Sequence, residues 1–406
     1  MKILFVVPYV PNLIRVRPYN LVRYLAQAGH RVTLATLWSS PEEAAELDAL
    51  RTTCESILAF PLPRWRTLFN SLTAVPTRDP IQAAYCWNPA LAAAIRAEAG
   101  NGYDAIHVEH LRGVRYGLHL VRHLRPPRPP VIWDSVDNIS YLFFQAARQS
   151  PSRLRRWLLS LEARRTAAAE ARLPGAFQRV LVTSKVDQEE FHRLLAARGQ
   201  PPNVDVLPNG VDLDYFCPDP AAAREPATLV ISGKMSYHAN IRMVLRFVKE
   251  IMPRIWADLP DARLWIVGKD PDRSLIELAA DPRIVVTGTV PDIRPYLQRA
   301  TLAVSPLVYG AGIQNKVLEA LACATPVVAS GKSVAALNNI TPGVHLETAD
   351  DDETFARRVV TLIRDPQRRQ QLGQAGRQYV EQHHDWRKIA ADLARLYQEA
   401  AQACII

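Results

Sequence analysis

The segment 309–322 combines residue types that suit phosphate binding. Gly310 and Gly312 let the backbone approach a ligand closely, and they lie between a predicted strand and a predicted helix whose N-terminus favours phosphate. Lys316 adds a charge in the first turn, and Glu319 shares its helix face and can accept hydrogen bonds from ribose hydroxyls. The pattern predicts a nucleotide-diphosphate site. The alternative is a glycine-rich loop before an ordinary helix that carries a Lys–Glu surface pair.

A second lysine follows another predicted strand of the same half of the chain. Gly233 and Lys234 come directly after the apolar run 228–232. On its own, Lys234 would be an ordinary exposed loop lysine. Two lysines at two strand ends of one parallel sheet favour a diphosphate clamp, because the carboxyl ends of such strands meet at one edge where ligands bind.

The elements that position these residues alternate between strand and helix along the whole chain. Short, nearly continuous apolar runs are typical of parallel strands that are buried on both faces. They predict an α/β fold with two doubly wound, Rossmann-like domains, joined near an Ala- and Pro-rich linker at 218–226. The predicted strands lie near 3–7, 31–37, 105–108, 131–133, 180–183 and 204–207 in the first half, and near 228–232, 263–268, 284–288, 302–304 and 326–329 in the second.

Composition excludes several classes of protein. The chain has 406 residues, 48% hydrophobic and 22% charged, which argues against a disordered chain or a rod. Its longest apolar runs are too short to cross a bilayer, and we expect no secretory signal. The five cysteines are scattered and odd in number, which favours a reducing compartment and therefore a cytoplasmic protein.

The net charge of +9 is concentrated in one segment. Residues 111–180 contain 13 arginines, no lysine and four acids. Such a segment can attract a phosphate-rich partner, which could be nucleic acid, an anionic membrane surface or a nucleotide-bearing substrate. The alternative is a set of solvated helix surfaces.

In order and spacing, several motifs resemble the retaining GT-B glycosyltransferases of family 4, in particular the bacterial exopolysaccharide sugar transferases. The resemblance covers nearly the whole chain and rests on segments 208–218, 233–240, 287–296 and 312–328. It implies two Rossmann-like domains that face each other across a cleft. Residues 1–207 would bind the acceptor, residues 208–385 would bind the nucleotide sugar, and a helix within 386–406 would cross back to the first domain.

The resemblance also implies roles in donor binding. Lys234 and Lys316 would hold the diphosphate, and Glu319 would bind the ribose as the second acid of an E-x7-E motif. Ala311 stands where the first acid would contact the transferred sugar, so the chain departs from the family pattern there. Backbone near Thr289 and Val290 would contact the base. The implied donor site comprises Gly233, Lys234, Thr289, Val290, Gly312, Ile313, Gln314, Asn315, Lys316 and Glu319.

In the first domain, the resemblance implies an active-site histidine at the end of a strand. The register leaves two candidates, His110 and Glu109. Asp134 and Asp137 follow the next strand and would either bind acceptor hydroxyls or cap a helix. The loop after the first strand would present three further residues to donor phosphates or to an anionic acceptor, namely Asn12, Arg15 and Arg17.

The expected activity is transfer of a sugar from a UDP- or GDP-sugar to an acceptor hydroxyl, for example on a lipid-linked or polysaccharide precursor. Lys316 would stabilise the departing diphosphate. We expect no tightly bound cofactor, no nucleic acid partner and no metal, because the D-x-D pattern at 212–214 belongs to the interdomain turn. Peripheral contact with the inner face of an anionic membrane is a further hypothesis. Two alternatives remain: a nucleotide-sugar epimerase of the same fold and a non-catalytic sugar-nucleotide-binding protein.

Overall fold

The computed structural model describes residues 1–150, 152–310 and 312–403. The chain divides into two compact units. The first contains Met1–Pro208 together with the segment that begins at Trp386, and the second contains Asn209–Asp385. Among the helices in the described ranges, none is both long and apolar enough to cross a bilayer.

The first unit is built on a seven-stranded parallel sheet with the strand order β3-β2-β1-β4-β5-β6-β7. Ile3 to Val7 of the central strand are fully buried, as expected when helices cover both faces. The strands are β1 Lys2–Val7, β2 Arg31–Trp38, β3 Ser56–Pro61, β4 Ala105–Glu109, β5 Val131–Val136, β6 Arg179–Val182 and β7 Val204–Val206. The helices are α1 Val16–Gln27, α2 Pro41–Glu46, α3 Asp48–Arg51, α4 Arg64–Ala74, α5 Ile81–Tyr85, α6 Pro89–Glu98, α7 His110–His123, α8 Ile139–Gln149, α9 Arg153–Glu170 and α10 Lys185–Ala196, and a 3-10 turn lies at Pro174–Ala176.

The second unit repeats this plan with a six-stranded parallel sheet in the order β10-β9-β8-β11-β12-β13. The strands are β8 Thr228–Ser232, β9 Arg263–Val267, β10 Ile284–Gly288, β11 Leu302–Ser305, β12 Val327–Ala329 and β13 Glu347–Thr348. The helices are α11 His238–Arg246, α12 Met252–Asp258, α13 Arg273–Ile276, α14 Arg294–Arg299, α15 Asn315–Ala322, α16 Gly331–Val334, α17 Asp352–Arg364 and α18 Pro366–His383, and a 3-10 turn lies at Glu277–Ala280. The predicted fold class, two doubly wound α/β domains, is therefore confirmed.

The last helix, α19 at Trp386–Ala403, belongs to the first unit. Trp386 and Tyr397 are fully buried in the same core cluster as Phe5 of β1. The apolar residues of α19 recur at helical spacing, so one face of the helix covers the sheet.

Two details differ from the sequence-based expectations. The apolar positions at 241–252 predict a helix there, but the helix begins earlier, at His238, and continues through a π-helical turn at Phe247–Ile251 into α12. Pro253 lies in the first turn of α12 and has no N–H to donate, which favours a change in helical hydrogen bonding there. The predicted linker at 218–226 is anchored within the second unit, because Arg224 donates to the carbonyls of Ala300 (2.7 Å) and Ala324 (2.9 Å).

Each sheet has one point where the order of strands reverses, between β1 and β4 in the first unit and between β8 and β11 in the second. Loops that leave the carboxyl ends of such a pair diverge and open a crevice, where ligands of doubly wound sheets bind. The predicted functional residues are therefore best compared with these two points.

Candidate functional site

In the second unit, one asparagine connects the two lysine-bearing strand ends at the reversal point. Lys316 Nζ, in the first turn of α15, donates to Asn240 Oδ1 at 2.7 Å. Asn240 Nδ2, on α11, donates to the carbonyl oxygen of Lys234 at 2.9 Å, directly beyond β8. The structure thus brings together Lys316 and the turn at Gly233 and Lys234. Asn240 is absent from the predicted donor site, although it lies within the motif segment at 233–240.

Glycine at position 233 is required by this arrangement. Its φ is +143°, a value that other residues rarely adopt. A Cβ there would lie 3.0 Å from Asn240 Nδ2 and 3.4 Å from Lys316 Cε. A side chain at position 233 would therefore press on the two groups that hold the lysine in place.

Burial shifts the two ionisable groups on this face of α15 toward their neutral forms. It lowers the pKa of Lys316 to about 8, although the carboxylate of Glu319 opposes the shift. It raises the pKa of Glu319 to about 7, with Lys316 opposing. Lys316 donates to two neutral amides, Asn240 and Gln314. An anion placed beside Lys316 would favour its charged form, so the site is chemically suited to phosphate.

The start of α15 offers further polar groups. Gln314, at the N-cap position, donates through Nε2 to the carbonyl of Gly312 (3.3 Å) and accepts from Lys316. The buried Oδ1 of Asn315 accepts no hydrogen bond from any described residue. Ile313 is buried in the core, which anchors the loop. Ala311, at the position of the missing motif acid, lies outside the described residues.

The remaining donor residues are placed differently. The side chain of Lys234 is exposed, whereas its carbonyl is held by Asn240. Thr289 is exposed and Val290 is half-buried beyond β10, which β9 separates from β8. These positions are compatible with contact to different parts of an extended ligand, and their roles remain predictions.

In the first unit, Glu109 ends β4 at the reversal point and is 1% exposed. Its Oε1 accepts a hydrogen bond from Tyr9 OH at 3.0 Å, and its Oε2 is buried without a partner among the described residues. Burial raises the pKa of Glu109 to about 8, and the charge of Asp134 adds to the shift. Burial therefore favours the protonated form of Glu109, which can donate a hydrogen bond.

His110 follows at the start of α7 with a φ of +64°, an unusual value for a residue with a side chain. Its Nδ1 accepts a hydrogen bond from the backbone N–H of Arg112 at 3.2 Å. Burial lowers the pKa of His110 to about 3, and Arg112 contributes. The ring is therefore neutral, and an accepting Nδ1 puts its proton on Nε2. Both candidates from the sequence thus offer a hydrogen-bond donor at the end of β4.

Arg17 and Asp134 form a buried ion pair rather than an exposed pair of ligand contacts. Arg17 is 4% exposed and Asp134 is fully buried. Arg17 Nη2 lies 2.7 Å from Asp134 Oδ2, and His107 Nε2 lies 3.5 Å from the same oxygen. Burial alone would raise the pKa of Asp134, but Arg17 and His107 hold it below its usual value. Tyr397 of α19 lies 2.8 Å from His107 Nδ1 and extends the chain of contacts.

Asp137 accepts a hydrogen bond from Thr183 Oγ1 at 3.1 Å. Burial raises the pKa of Asp137 to about 7, and Asp187 adds to the shift. The helix-capping alternative applies to its neighbours instead, since Asn138 caps α8 through the N–H of Tyr141. Asp187 and Glu170 accept the N–H groups of Asn138 and Ile139 at that end of the helix.

The loop after β1 is held by its own polar residues. Asn12 Oδ1 accepts the N–H groups of Ile14 (3.0 Å) and Arg15 (2.8 Å). Arg15 pairs with Glu43 at 2.9 Å and lies over the ring of Tyr9 at 4.8 Å. Arg15 therefore supports the tyrosine that donates to Glu109.

The D-x-D pattern at Asp212 and Asp214 forms a turn. Asp212 Oδ1 accepts the N–H groups of Asp214 (3.2 Å) and Tyr215 (3.1 Å). This is the local bonding typical of an Asx turn. Within the described ranges, no three His, Cys, Asp or Glu side chains converge on a point that could hold a metal ion.

Comparison with known families identifies the chain. A family model described as Glycosyltransferase Family 4 matches residues 15–215, and one described as Glycosyl transferases group 1 matches residues 226–365. The chain belongs to glycosyltransferase family 4. The two matches correspond to the two structural units, so the resemblance to family 4 inferred from the motifs is confirmed, whereas retention and the exopolysaccharide branch remain predictions.

Curated relatives of this family 4 chain include two mannosyltransferases. A GDP-mannose-dependent monoacylated alpha-(1-6)-phosphatidylinositol monomannoside mannosyltransferase of Corynebacterium glutamicum is 31% identical over 56% of this chain and 66% of its own length. A GDP-mannose-dependent alpha-(1-6)-phosphatidylinositol monomannoside mannosyltransferase of Mycolicibacterium smegmatis is 30% identical over 55% of this chain and 64% of its own length. The chain thus spans slightly less than two thirds of each relative.

Solved structures show the same fold over the whole family 4 chain. Sucrose-phosphate synthase from Thermosynechococcus elongatus superposes with a TM-score of 0.65 at 19% identity, and covers 99% of this chain and 100% of that one. Anabaena HepE in complex with UDP and glucose superposes with a TM-score of 0.63 at 16% identity, and covers 98% and 100%. At these identities the likeness extends to the fold alone.

The raised pKa of Glu109 predicts a specific effect on stability. The folded state holds a proton on Glu109 between about pH 4.5 and 8 that the unfolded state releases, so this group lowers the free energy of unfolding as pH rises through that window. Glu109→Gln should not show this loss. Between pH 5 and pH 8, the free energy of unfolding of the parent should therefore fall by at least about 1.4 kcal/mol more than that of Glu109→Gln. Urea unfolding at both pH values measures the difference. The exposed Glu189→Gln is the matched control, and a Glu109→Gln profile equal to that of the parent would contradict the assignment.

Proposed function

We propose that this chain transfers a sugar from a nucleotide-diphosphate sugar to an acceptor hydroxyl. The observation that carries the proposal is the cluster in which Asn240 connects Lys316 to the carbonyl of Lys234, at the point where the strand order reverses. Two relatives are named for dependence on GDP-mannose, and the HepE structure contains UDP and glucose. These names support a GDP- or UDP-sugar as the donor.

The difficult step in such a transfer is departure of the diphosphate, because negative charge accumulates on it while positive charge develops on the anomeric carbon. A fixed cation and a helix N-terminus beside the leaving phosphates stabilise that state electrostatically. Lys316 in the first turn of α15 supplies the cation, and Glu319, one turn further on, accepts hydrogen bonds from the ribose. We assign no metal to this role.

We further propose that transfer proceeds with retention, as in the subgroup that the motifs resemble. In a front-face reaction, the acceptor oxygen forms the new bond on the side that the diphosphate leaves, and the leaving phosphate oxygen takes the acceptor proton. The protonated carboxyl of Glu109 and the Nε2–H of His110 are donors that can orient hydroxyl groups of the sugar or the acceptor. Neither group is required as a nucleophile.

For the acceptor, we propose a hydroxyl of a lipid-linked sugar or polyol. Both mannosyltransferase relatives are named for phosphatidylinositol mannosides. A lipid-linked acceptor would bring the protein to a membrane surface as a peripheral protein, in agreement with the arginine-rich segment at 111–180.

Removing the side-chain amine of Lys316 tests the donor site. We expect Lys316→Ala to weaken binding of GDP or UDP about tenfold or more, since a hydrogen bond to a charged group contributes about 1.5–3 kcal/mol. Calorimetric titration measures the affinity, and transfer of labelled mannose or glucose from GDP-mannose or UDP-glucose to a lipid extract measures turnover. The exposed Lys249→Ala is the control. Unchanged affinity and turnover in Lys316→Ala would refute the assignment.

The same assays on the parent protein distinguish the alternative functions. Conversion of the donor without an acceptor would favour the epimerase alternative, and binding without turnover would favour the non-catalytic one.

The lowered pKa of Lys316 predicts a pH dependence of nucleotide binding. A diphosphate favours the ammonium form, so the affinity for GDP or UDP should be constant from pH 7 to about 8 and should then fall toward tenfold per pH unit. Binding above pH 8 should take up a proton, which calorimetry in buffers of different ionisation enthalpy detects. Lys316→Arg keeps its charge at these pH values and should bind with a flat profile. A flat profile in the parent protein would show that Lys316 does not meet the phosphates.

A further inference from the structure

Helix α4 carries large apolar side chains on the face that points away from its unit. Trp65, Leu68, Phe69 and Leu72 are each 60–63% exposed. Their spacing of i, i+3, i+4 and i+7 places them on one stripe of the helix. The side that packs inward buries only Asn70 and Ala74. A surface helix normally directs its large apolar residues toward the core, and α4 does the reverse.

Helix α9 shows the same reversal. Leu154, Trp157, Leu158 and Leu161 repeat the spacing of the α4 stripe and are 36–68% exposed. The buried residues of α9 all lie in its second half and are small or polar, namely Ala163, Thr166, Ala169 and Glu170. Two helices of one unit therefore present an apolar stripe that contains tryptophan.

The second half of α9 contacts the segment that follows α4. Arg165 of α9 donates through Nη2 to the carbonyl of Val75, which follows α4 directly, at 2.8 Å. Glu162 of α9 accepts the N–H of Ile81 at the start of α5, at 2.7 Å. The second half of α9 thus holds the segment that connects α4 to α5, and the two stripes belong to one region of the first unit.

The charges that helices α4 and α9 present to solvent are positive. Their two acids are occupied within the fold, because Glu162 accepts the N–H of Ile81 and the fully buried Glu170 accepts the N–H of Ile139. An anionic partner is therefore favoured, and a second copy of the chain is disfavoured, since it would bring the same positive charge against this surface. Helices α4 and α9 together carry seven arginines: Arg64, Arg66, Arg153, Arg155, Arg156, Arg164 and Arg165.

We propose that the exposed stripes of α4 and α9 bind the surface of an anionic lipid bilayer, with the tryptophan, phenylalanine and leucine side chains at the boundary of headgroups and acyl chains and the arginines at the lipid phosphates. Arginine beside tryptophan, phenylalanine and leucine on an exposed helix is the composition of interfacial membrane helices. The biological role of this surface rests on the proposed function, because a lipid-linked acceptor would lie in a membrane. Its test requires no nucleotide and no turnover.

Vesicle flotation at low salt tests the apolar contribution. We expect the parent protein to float with vesicles of phosphatidylcholine mixed with phosphatidylglycerol. Its binding to vesicles of phosphatidylcholine alone should be weaker by a factor of at least about ten. The double variant Trp65→Ser with Phe69→Ser, and the single variant Trp157→Ser, should each bind the mixed vesicles about tenfold more weakly. Ile276→Ser replaces an exposed apolar residue of the second unit and should bind like the parent.

Substituting arginines on α9 tests the charge. The triple variant Arg153→Gln, Arg155→Gln and Arg156→Gln should reduce binding to the mixed vesicles at least about tenfold, whereas Arg273→Gln on α13 should not. Gel filtration of the same variants detects the alternative, in which a second copy of the chain covers this surface. Three results would overturn the proposal: failure of the parent protein to float at low salt, an equal loss of binding in the control variants, or a dimer of a non-floating parent that the double variant Trp65→Ser with Phe69→Ser abolishes. A protein that floats as expected but transfers no sugar would refute the proposed function and leave this surface assignment intact.

Discussion

The donor site depends on one side-chain amide. Asn240 accepts from Lys316 at 2.7 Å and donates to the carbonyl of Lys234 at 2.9 Å, so it joins the start of α15 to the turn after β8. The link also restricts the residue at position 233, since a side chain there would press on Asn240. Lys316 donates to neutral amides, and burial disfavours its charge despite the nearby Glu319, so an added anion beside Lys316 would favour the charged form.

In the first unit, burial and neighbouring charges likewise shift the pKa values of carboxyl groups. The buried ion pair of Arg17 and Asp134 lies beside the end of β4, since Asp134 of β5 is opposite Glu109, and it is joined through His107 to Tyr397 of the last helix. The negative charge of Asp134 contributes to the raised pKa of Glu109. One acid is thus kept ionised by an arginine while its neighbour is kept protonated by burial. Such divergent pKa values are typical of functional sites, where they separate structural groups from groups that exchange protons.

Local chemistry and spacing were sufficient to predict part of the site. Lys316 and Glu319 share a helix face because they are three residues apart, and apolar runs of strand length indicated the central strands of both sheets. The Asn240 link was not predictable in this way, because 76 residues separate Asn240 from Lys316. The burial of Arg17 against Asp134 joins residues that are 117 positions apart. The edge strand β3 is only half-buried, and its apolar run at 57–60 is too short for periodicity to distinguish a strand from a helix segment. The sequence at 154–171 predicts a long helix, and α9 lies there. Periodicity alone assigns its apolar stripe to the core, whereas the structure turns that stripe outward.

The central claim is that the cluster at Lys316, Asn240 and Lys234 binds a nucleoside diphosphate. The most direct measurement is the thermal stability of the protein with UDP, GDP, ADP, dTDP or CMP, each with and without magnesium. A ligand at about 100 times its dissociation constant adds roughly 2.7 kcal/mol to the free energy of unfolding, which is readily seen as a rise in Tm. The account predicts a clear rise with one diphosphate that does not require magnesium. The absence of a rise with every diphosphate, or a rise only with magnesium, would contradict it.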